Sequence, residues 1–194
     1  MQNIEGWTPA HMAGMLNNFD ALNLLIENGV DLEKRNRNKL TVYEEIVRSD
    51  NADLLECIYP YVKDFQHKRN LQQEGTFGIV HLAASSGPKC LEFLLEKAKE
   101  YPNQICNDKD KATPLHFAVL SENQDNLRVL VRNGANVNAR DSAGNTPLHF
   151  AVTKRSLKLV KLLEEFGADA TIENADEICA IDLSITEDIK EIKM

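Results

Sequence analysis

Two stretches of this 194-residue chain nearly coincide: ATPLHFAV at 112–119 and NTPLHFAV at 145–152, 33 residues apart. Each leads into an apolar-periodic stretch closed by a glycine turn, LRVLVRNGANVNARD at 127–141 and LVKLLEEFGADATIEN at 159–174. Thr113 and Thr146 can cap a helix through their hydroxyls, and the proline after each suits the first helical position. The run LHFAV then predicts a short helix with an apolar face. A second helix follows, with residues such as Leu159, Val160, Leu162 and Leu163 at helical spacing. Gly134 and Gly167 supply the left-handed residue that ends it. The polar segment from Asn136 to Gly144 predicts a projecting hairpin loop.

Weaker copies of this unit run along the rest of the chain. Thr8-Pro9-Ala10-His11 opens one, followed by LNLLIENGVDLEKRN at 22–36. Thr41-Val42-Tyr43-Glu44, Gly78-Ile79-Val80-His81 and Cys179-Ala180-Ile181-Asp182 open three more, so the starts fall at 8, 41, 78, 113, 146 and 179. Two short helices cannot bury their apolar faces alone, and a recurrence near 33 residues predicts stacked units that bury them against one another. The T-P-L-H units, and T-P-A-H at the same period, resemble the ankyrin-repeat family over nearly the whole chain. That resemblance implies an all-α solenoid of helix-turn-helix units with projecting β-hairpin or loop fingers. It would form a single array over 1–194, with repeats near 3–35, 36–73, 74–107, 108–140 and 141–173 and a partial, capping one at 174–194.

Several units depart from the pattern. The second lacks the proline, the histidine and the glycine stop, carries Tyr59-Pro60-Tyr61-Val62 instead, and is expected to have a loop four residues longer. The third replaces Thr-Pro by Gly78-Ile79 and lengthens the stretch around Tyr101-Pro102-Asn103. Trp7, Met12 and Met15 near the first helix do not make the polar outer face of a terminal repeat. With the shortened last unit, this suggests a piece of a longer protein.

Composition bounds the function. Lys and Arg number 22 against 30 acids, a net charge of −8, and 43% of residues are apolar. An evenly spread acidity argues against nucleic acid as partner. No apolar run suits a bilayer span, and the N-terminus lacks the basic and apolar regions of a secretory signal, so no direct membrane insertion is expected. Cys57, Cys90, Cys106 and Cys179 are far apart, which favours a reducing cytoplasmic or nuclear setting without disulfides or structural zinc. His11, His81, His116 and His149 recur one per repeat. Stacked helices lie about 8–10 Å apart, too far for such side chains to converge on one metal. In the family this histidine ties the Thr-Pro turn to neighbouring backbone. His67 is expected alone in a loop, and Ser85-Ser86-Gly87 is expected to stop a helix. No nucleophile motif, phosphate-cradling loop or metalloprotease motif occurs, so no catalytic residue, metal or cofactor is expected.

The resemblance places partner binding on the concave face, built from the fingers and the ends of the first helices. Carried over by register, that face takes Arg35, Arg37, Arg48, Lys68, Lys109, Arg140 and Lys154 as basic residues. Trp7, Met15, Leu40, Phe77 and Leu120 join them as apolar or aromatic anchors of the kind that dominate interface energy. Acids such as Asp20, Glu27, Asp125 and Glu164 fall on the second helices. The expectation is a monomeric interaction module (scaffold, adaptor or inhibitor) whose mildly basic groove receives an acidic, partly apolar protein segment. The alternative is a regulatory or targeting segment of a larger enzyme, channel or ubiquitin-ligase adaptor. Phe117 and Phe150 are expected to be packed. Asn138, within Val137-Asn138-Ala139, resembles the asparagine that is hydroxylated in ankyrin loops, although asparagine also serves such turns structurally.

Overall fold

Threonine followed three residues later by histidine folds here as a two-way cap. In the computed structural model, Thr8, Thr113 and Thr146 each start a helix, and each receives its third helical residue, His11, His116 or His149, as capping partner. The threonine side chain satisfies an orphan backbone N–H of the first turn, and the histidine ring satisfies the N–H of the threonine itself. Thr41 does the same with Glu44. A carboxylate at that position can accept as a ring nitrogen does, so the second unit keeps its helix start without T-P-x-H.

The structure describes residues 3, 6–70, 78–106 and 109–183, with the backbone alone described over 63–70. The helices run in pairs: α1 (Pro9–Met15) with α2 (Phe19–Glu27), α3 (Val42–Arg48) with α4 (Ala52–Asn70), α5 (Ile79–Ser86) with α6 (Pro88–Glu92), α7 (Pro114–Leu120) with α8 (Gln124–Arg132), and α9 (Pro147–Thr153) with α10 (Leu157–Glu165). No strand forms among the described residues; one antiparallel bridge joins Glu173 and Cys179. The chain divides into two compact units, Met1–Gln72 and Gln73–Met194. Within the first, α1 packs on α2 and α3, and α3 on α4; within the second, α7 packs on α5, α8 and α9. Each unit buries a run of layers in place of one central core. Leu22, Ile46, Leu54, Leu55 and Ile58 are buried in the first, and Leu115, Leu127, Leu130, Leu148 and Leu163 in the second. Each such leucine or isoleucine removed from water contributes about 2 kcal/mol.

The turn between paired helices repeats as well. Asn17, Asp50, Glu122 and Arg155 take positive φ (53–57°) after the first helix. The next residue's N–H then reaches back to the helix: Asn18 to Ala13 O, Asn51 to Ile46 O, Asn123 to Ala118 O, Ser156 to Ala151 O. This is a left-handed helix stop without glycine.

The third repeat lacks that residue. Its α5 ends at Ser86, as Ser85-Ser86-Gly87 predicted, but Gly87 is extended (φ −151°) and is followed by Pro88, which has no N–H to give. The carbonyls left over at the end of α5 are taken by the next repeat. Asn126 Nδ2 donates to Ala83 O (3.1 Å) and Ala84 O (2.8 Å), and Asn123 Nδ2 donates to Ser86 O (3.3 Å). The missing residue is then returned within the second helix, where α6 widens into a π turn, Phe93–Lys97. A π turn holds one residue more than an α turn. Register is thereby restored. Lys99 (φ 58°) occupies the place held by Gly29, Gly134 and Gly167 in other repeats. The extra length around Tyr101-Pro102-Asn103 lies beyond it, in the finger.

The second repeat differs from its expectation. Its added residues extend a helix: α4 runs through Pro60 to Asn70. His67, expected in a loop, therefore lies on helical backbone. Without a glycine to impose positive φ, the helix has no local stop at Val62.

Candidate functional site

The histidines explain how one unit holds the next. His11 Nε2 lies 3.1 Å from Leu40 O, His116 Nε2 3.1 Å from Asn145 O, His149 Nε2 3.1 Å from Ile178 O, and His81 Nε2 3.1 Å from Ala112 O. A carbonyl only accepts, so Nε2 carries the proton. In His116 the other nitrogen accepts from Thr113 N–H (3.1 Å) and from the Thr113 hydroxyl (2.9 Å). The ring is thus neutral and used on both sides. Burial is the main force holding the His116 pKa below its ordinary value; His149 adds to it, and the Asn145 carbonyl and Asp141 oppose it. Neighbouring rings meet edge-on: His81 with Phe117 at 5.3 Å, His116 with Phe150 at 5.5 Å, Trp7 with His11 at 5.6 Å. Phe117 and Phe150 therefore pack between successive repeats of the second unit, half-buried. Among the described residues no group of three or more His, Cys, Asp or Glu side chains could hold a metal ion.

The fingers of the second unit are laced together. Asn103 Nδ2 donates to Gly134 O (2.8 Å), and its Oδ1 accepts from Asn136 N–H (2.7 Å). Asn138 repeats this one finger on, donating to Gly167 O (3.3 Å) and accepting from Asp169 N–H (2.8 Å). Backbone bonds from Ser142 to Asp110 O and from Ala175 to Ala143 O complete the ladder. Asn138 is thus a half-buried structural link whose amide is already engaged.

The basic residues assigned to the concave face fall in separate units and have unequal duties. In the first unit, Arg35 Nη1 lies 3.5 Å from Glu44 Oε2 and also bonds Lys39 O. Arg48 reaches Glu45 Oε2 at 2.7 and 2.8 Å, and Asn36 Nδ2 donates to Glu45 Oε1 at 2.7 Å. Glu44 and Glu45 are both buried. The two arginines therefore neutralise buried carboxylates. In the second unit, Arg140 donates to Gly144 O (3.2 Å) and Glu173 O (2.9 Å), and Lys154 pairs with Glu122 at 3.6 Å. Arg37 and Lys109 are exposed. Met15, Leu16 and Leu120 are large apolar side chains left exposed at the ends of first helices, while Leu40 and Trp7 are half-buried. Phe77 and the side chain of Lys68 lie outside the described residues. Sequence reasoning missed the internal pairing because adjacent acids such as Glu44 and Glu45 diverge around a helix, and their burial shows only once helix and finger are folded together.

Comparison with known families agrees with the geometry. The family model for ankyrin repeats (three copies) matches residues 45–141 and 80–174, and the single ankyrin repeat matches 5–37. The chain belongs to the ankyrin-repeat family. Ankyrin repeats are in general non-catalytic protein-interaction modules. The chain is 24% identical over 141 residues to inversin of Canis lupus familiaris, covering 72% of this chain and 12% of that protein. It is 28% identical over 146 residues to human transient receptor potential cation channel subfamily A member 1, covering 71% of this chain and 12% of the channel subunit. It is also 28% identical over 130 residues to the ankyrin repeat protein FPV223 of fowlpox virus (strain NVSL), covering 65% of this chain and 84% of the viral protein. The chain thus spans about an eighth of the first two relatives and most of the third.

Proposed function

We propose that this ankyrin array binds another protein through its fingers and the ends of its first helices, as a scaffold, adaptor or inhibitor. The observation that carries this reading is the exposure of Met15, Leu16 and Leu120 at the ends of first helices. Such side chains cost solvation unless a partner covers them. The partner segment is a partly apolar one, with acidic residues to meet Arg37 on the first unit or Lys109 on the second. Arg35, Arg48 and Lys154 contribute less charge than their number suggests, because each is paired with a carboxylate of the chain, and Arg140 is held by backbone carbonyls. Four free cysteines fit a reducing compartment, cytoplasmic or nuclear. Among the described residues no helix is long and apolar enough to cross a membrane. The test is affinity capture with the intact chain and with a variant carrying Arg37→Glu, Lys109→Glu and Leu120→Ser, each at an exposed position. The variant should keep its helical circular dichroism and lose the captured protein. Equal capture by both chains would remove these faces from consideration.

A second reading has its own support. Two relatives are about eight times longer than the matched region, and one is by name a cation channel subunit. On that analogy the array regulates or targets a larger enzyme, channel or ubiquitin-ligase adaptor. Sequencing the full-length transcript separates the two.

A further inference from the structure

The finger at 34–39 reads Lys-Arg-Asn-Arg-Asn-Lys, four bases in six residues and no acid. The later described fingers carry acids: Asp110 between Lys109 and Lys111, Asp141 after Arg140, and Glu173, Asp176 and Glu177 in the last. One of the four bases is engaged inside the molecule, since Arg35 faces Glu44 Oε2 at 3.5 Å and bonds Lys39 O. Lys34, Arg37 and Lys39 are all exposed, and among the described residues their side chains form no ion pair. The loop that carries them is fixed. Asn36 is buried; its Nδ2 donates to Glu45 Oε1 at 2.7 Å, its Oδ1 accepts from Leu40 N–H at 3.1 Å, and its carbonyl accepts from Lys39 N–H at 2.9 Å. Arg37, Asn38 and Lys39 thus stand on one tight turn, with Lys39 at a left-handed φ of 61° where a later finger has Gly144 at 78°.

Three like charges on one short, rigid turn repel one another, and one compact group of high charge answers them best. A carboxylate brings one negative charge, whereas a phosphorylated serine or threonine brings about −1.5 to −2 and three strong acceptor oxygens. The floor beside this finger is apolar. His11 Nε2 meets Leu40 O at the base of the finger, and α1 carries on from there to Met15 and Leu16, 61% and 67% exposed. Four or five residues of helix rise about 6–8 Å. With the height of the finger added, the two places lie roughly four residues of extended chain apart. Building on the reading that the finger face binds a protein, we propose that the first unit holds a phosphorylated segment of its partner. Lys34, Arg37 and Lys39 take the phosphoryl group, and an apolar side chain about four residues away lies on Met15 and Leu16. Binding then depends on the phosphorylation state of the partner.

The probes are three labelled 11-residue peptides, titrated into the intact chain by fluorescence anisotropy at 150 mM salt. Each has leucines four residues to either side of its centre, which is serine, phosphoserine or glutamate. The phosphoserine peptide should bind at least tenfold more tightly than the serine peptide and at least threefold more tightly than the glutamate peptide. Lys34→Gln with Arg37→Gln and Lys39→Gly should bring the three within twofold of one another. Helical circular dichroism should not change, since all three residues are exposed and glycine suits the positive φ at 39. Met15→Ser with Leu16→Ser should weaken all three peptides alike. A phosphoserine preference that survives the triple variant overturns the proposal. Equal binding of the three peptides overturns it too, while a loss of that binding in the serine pair would leave the wider reading of the finger face standing. Absence of binding by all three also overturns it, and affinity capture with the intact chain then judges the wider reading by itself. A ten-nucleotide single strand that binds as tightly as the phosphoserine peptide overturns it in favour of nucleic acid.

Discussion

Replacing Asn126 by leucine tests the account of the third repeat directly, because leucine is what the array places at that register in Leu54 and Leu159. Asn126 is fully buried and its Nδ2 serves Ala83 O and Ala84 O at 3.1 and 2.8 Å. Losing the donor leaves two carbonyls with poorer satisfaction, at about 1–3 kcal/mol each. Part of this is returned, since the Asn126 Oδ1 is itself buried without a hydrogen-bond partner and leucine removes it. The net expectation for Asn126→Leu is a loss of about 2 kcal/mol, or roughly 6 °C in midpoint for a chain this long. Asn126→Ala should lose about 1 kcal/mol more, because it also leaves a cavity. Urea unfolding followed by circular dichroism at 222 nm reads both. A second arm checks the cause. Inserting asparagine between Ser86 and Gly87, with deletion of the exposed Glu96 from the π turn, gives α5 a left-handed stop of its own. In that background Asn126→Leu should cost under about 0.5 kcal/mol. If Asn126→Leu leaves the parent chain as stable or more stable, the carbonyls do not depend on Asn126 and the compensation argument fails.

Other perturbations bear on neighbouring links. The depressed pKa of His116 means that the unfolded chain takes up its proton first, so stability is full above the unfolded value of about 6.5 and declines as pH falls below it, until the folded ring also protonates. The urea midpoint should drop between pH 7.5 and 5.5, and His116→Gln should flatten that slope; an unchanged slope would show that the ring is not the group responsible. Glu45→Ala strips partners from both Asn36 and Arg48 and should cost about 2–3 kcal/mol, whereas Arg48→Ala, removing a half-exposed side chain, should cost under about 1 kcal/mol. A reversed order in denaturant titration contradicts the assigned roles. Gly78 sits where other repeats place threonine, and a Cβ there would come within 2.4 Å of the Gln104 side chain. Gly78→Thr should therefore gain little alone and about 1 kcal/mol more when combined with Gln104→Ala, as a double-mutant cycle would show.

The regular parts of this fold were legible because each repeat writes its own start and stop. Thr113 and Thr146 cap, Pro114 and Pro147 open the helix, and Gly134 and Gly167 close it, all by local stereochemistry. What escaped sequence reading is non-local or compensated. By spacing alone the third repeat reads as having a longer finger and no other change, since a residue lost before Gly87 and one gained in the π turn cancel. The second repeat's four added residues read as a longer loop, yet without a glycine stop and with Pro60 on an exposed face α4 stays continuous to Asn70. At the site, the register placed Arg37, Lys109, Met15 and Leu120 at exposed positions and Trp7 and Leu40 at half-buried ones, but exposure alone does not free a charge. Arg35 and Arg48 are engaged because Glu44 took over the histidine's capping place and Glu45 lies buried beside it, a pairing visible only once helix and finger are folded together.

Two kinds of exposed apolar residue follow from the register, and they have different meanings. Met15 shares its position with Arg48, Leu120 and Thr153, all exposed, so the stack leaves that position to solvent in every repeat. Arg48 turns inward to Glu45, whereas Met15, Leu120 and Thr153 can vary with little effect on stability, and Met15 and Leu120 are the residues the proposed binding face would use there. Met12 and Leu24 stand at positions where the later repeats are covered, so their exposure belongs to one repeat alone. Removing Met15 or Leu120 should change binding and not folding.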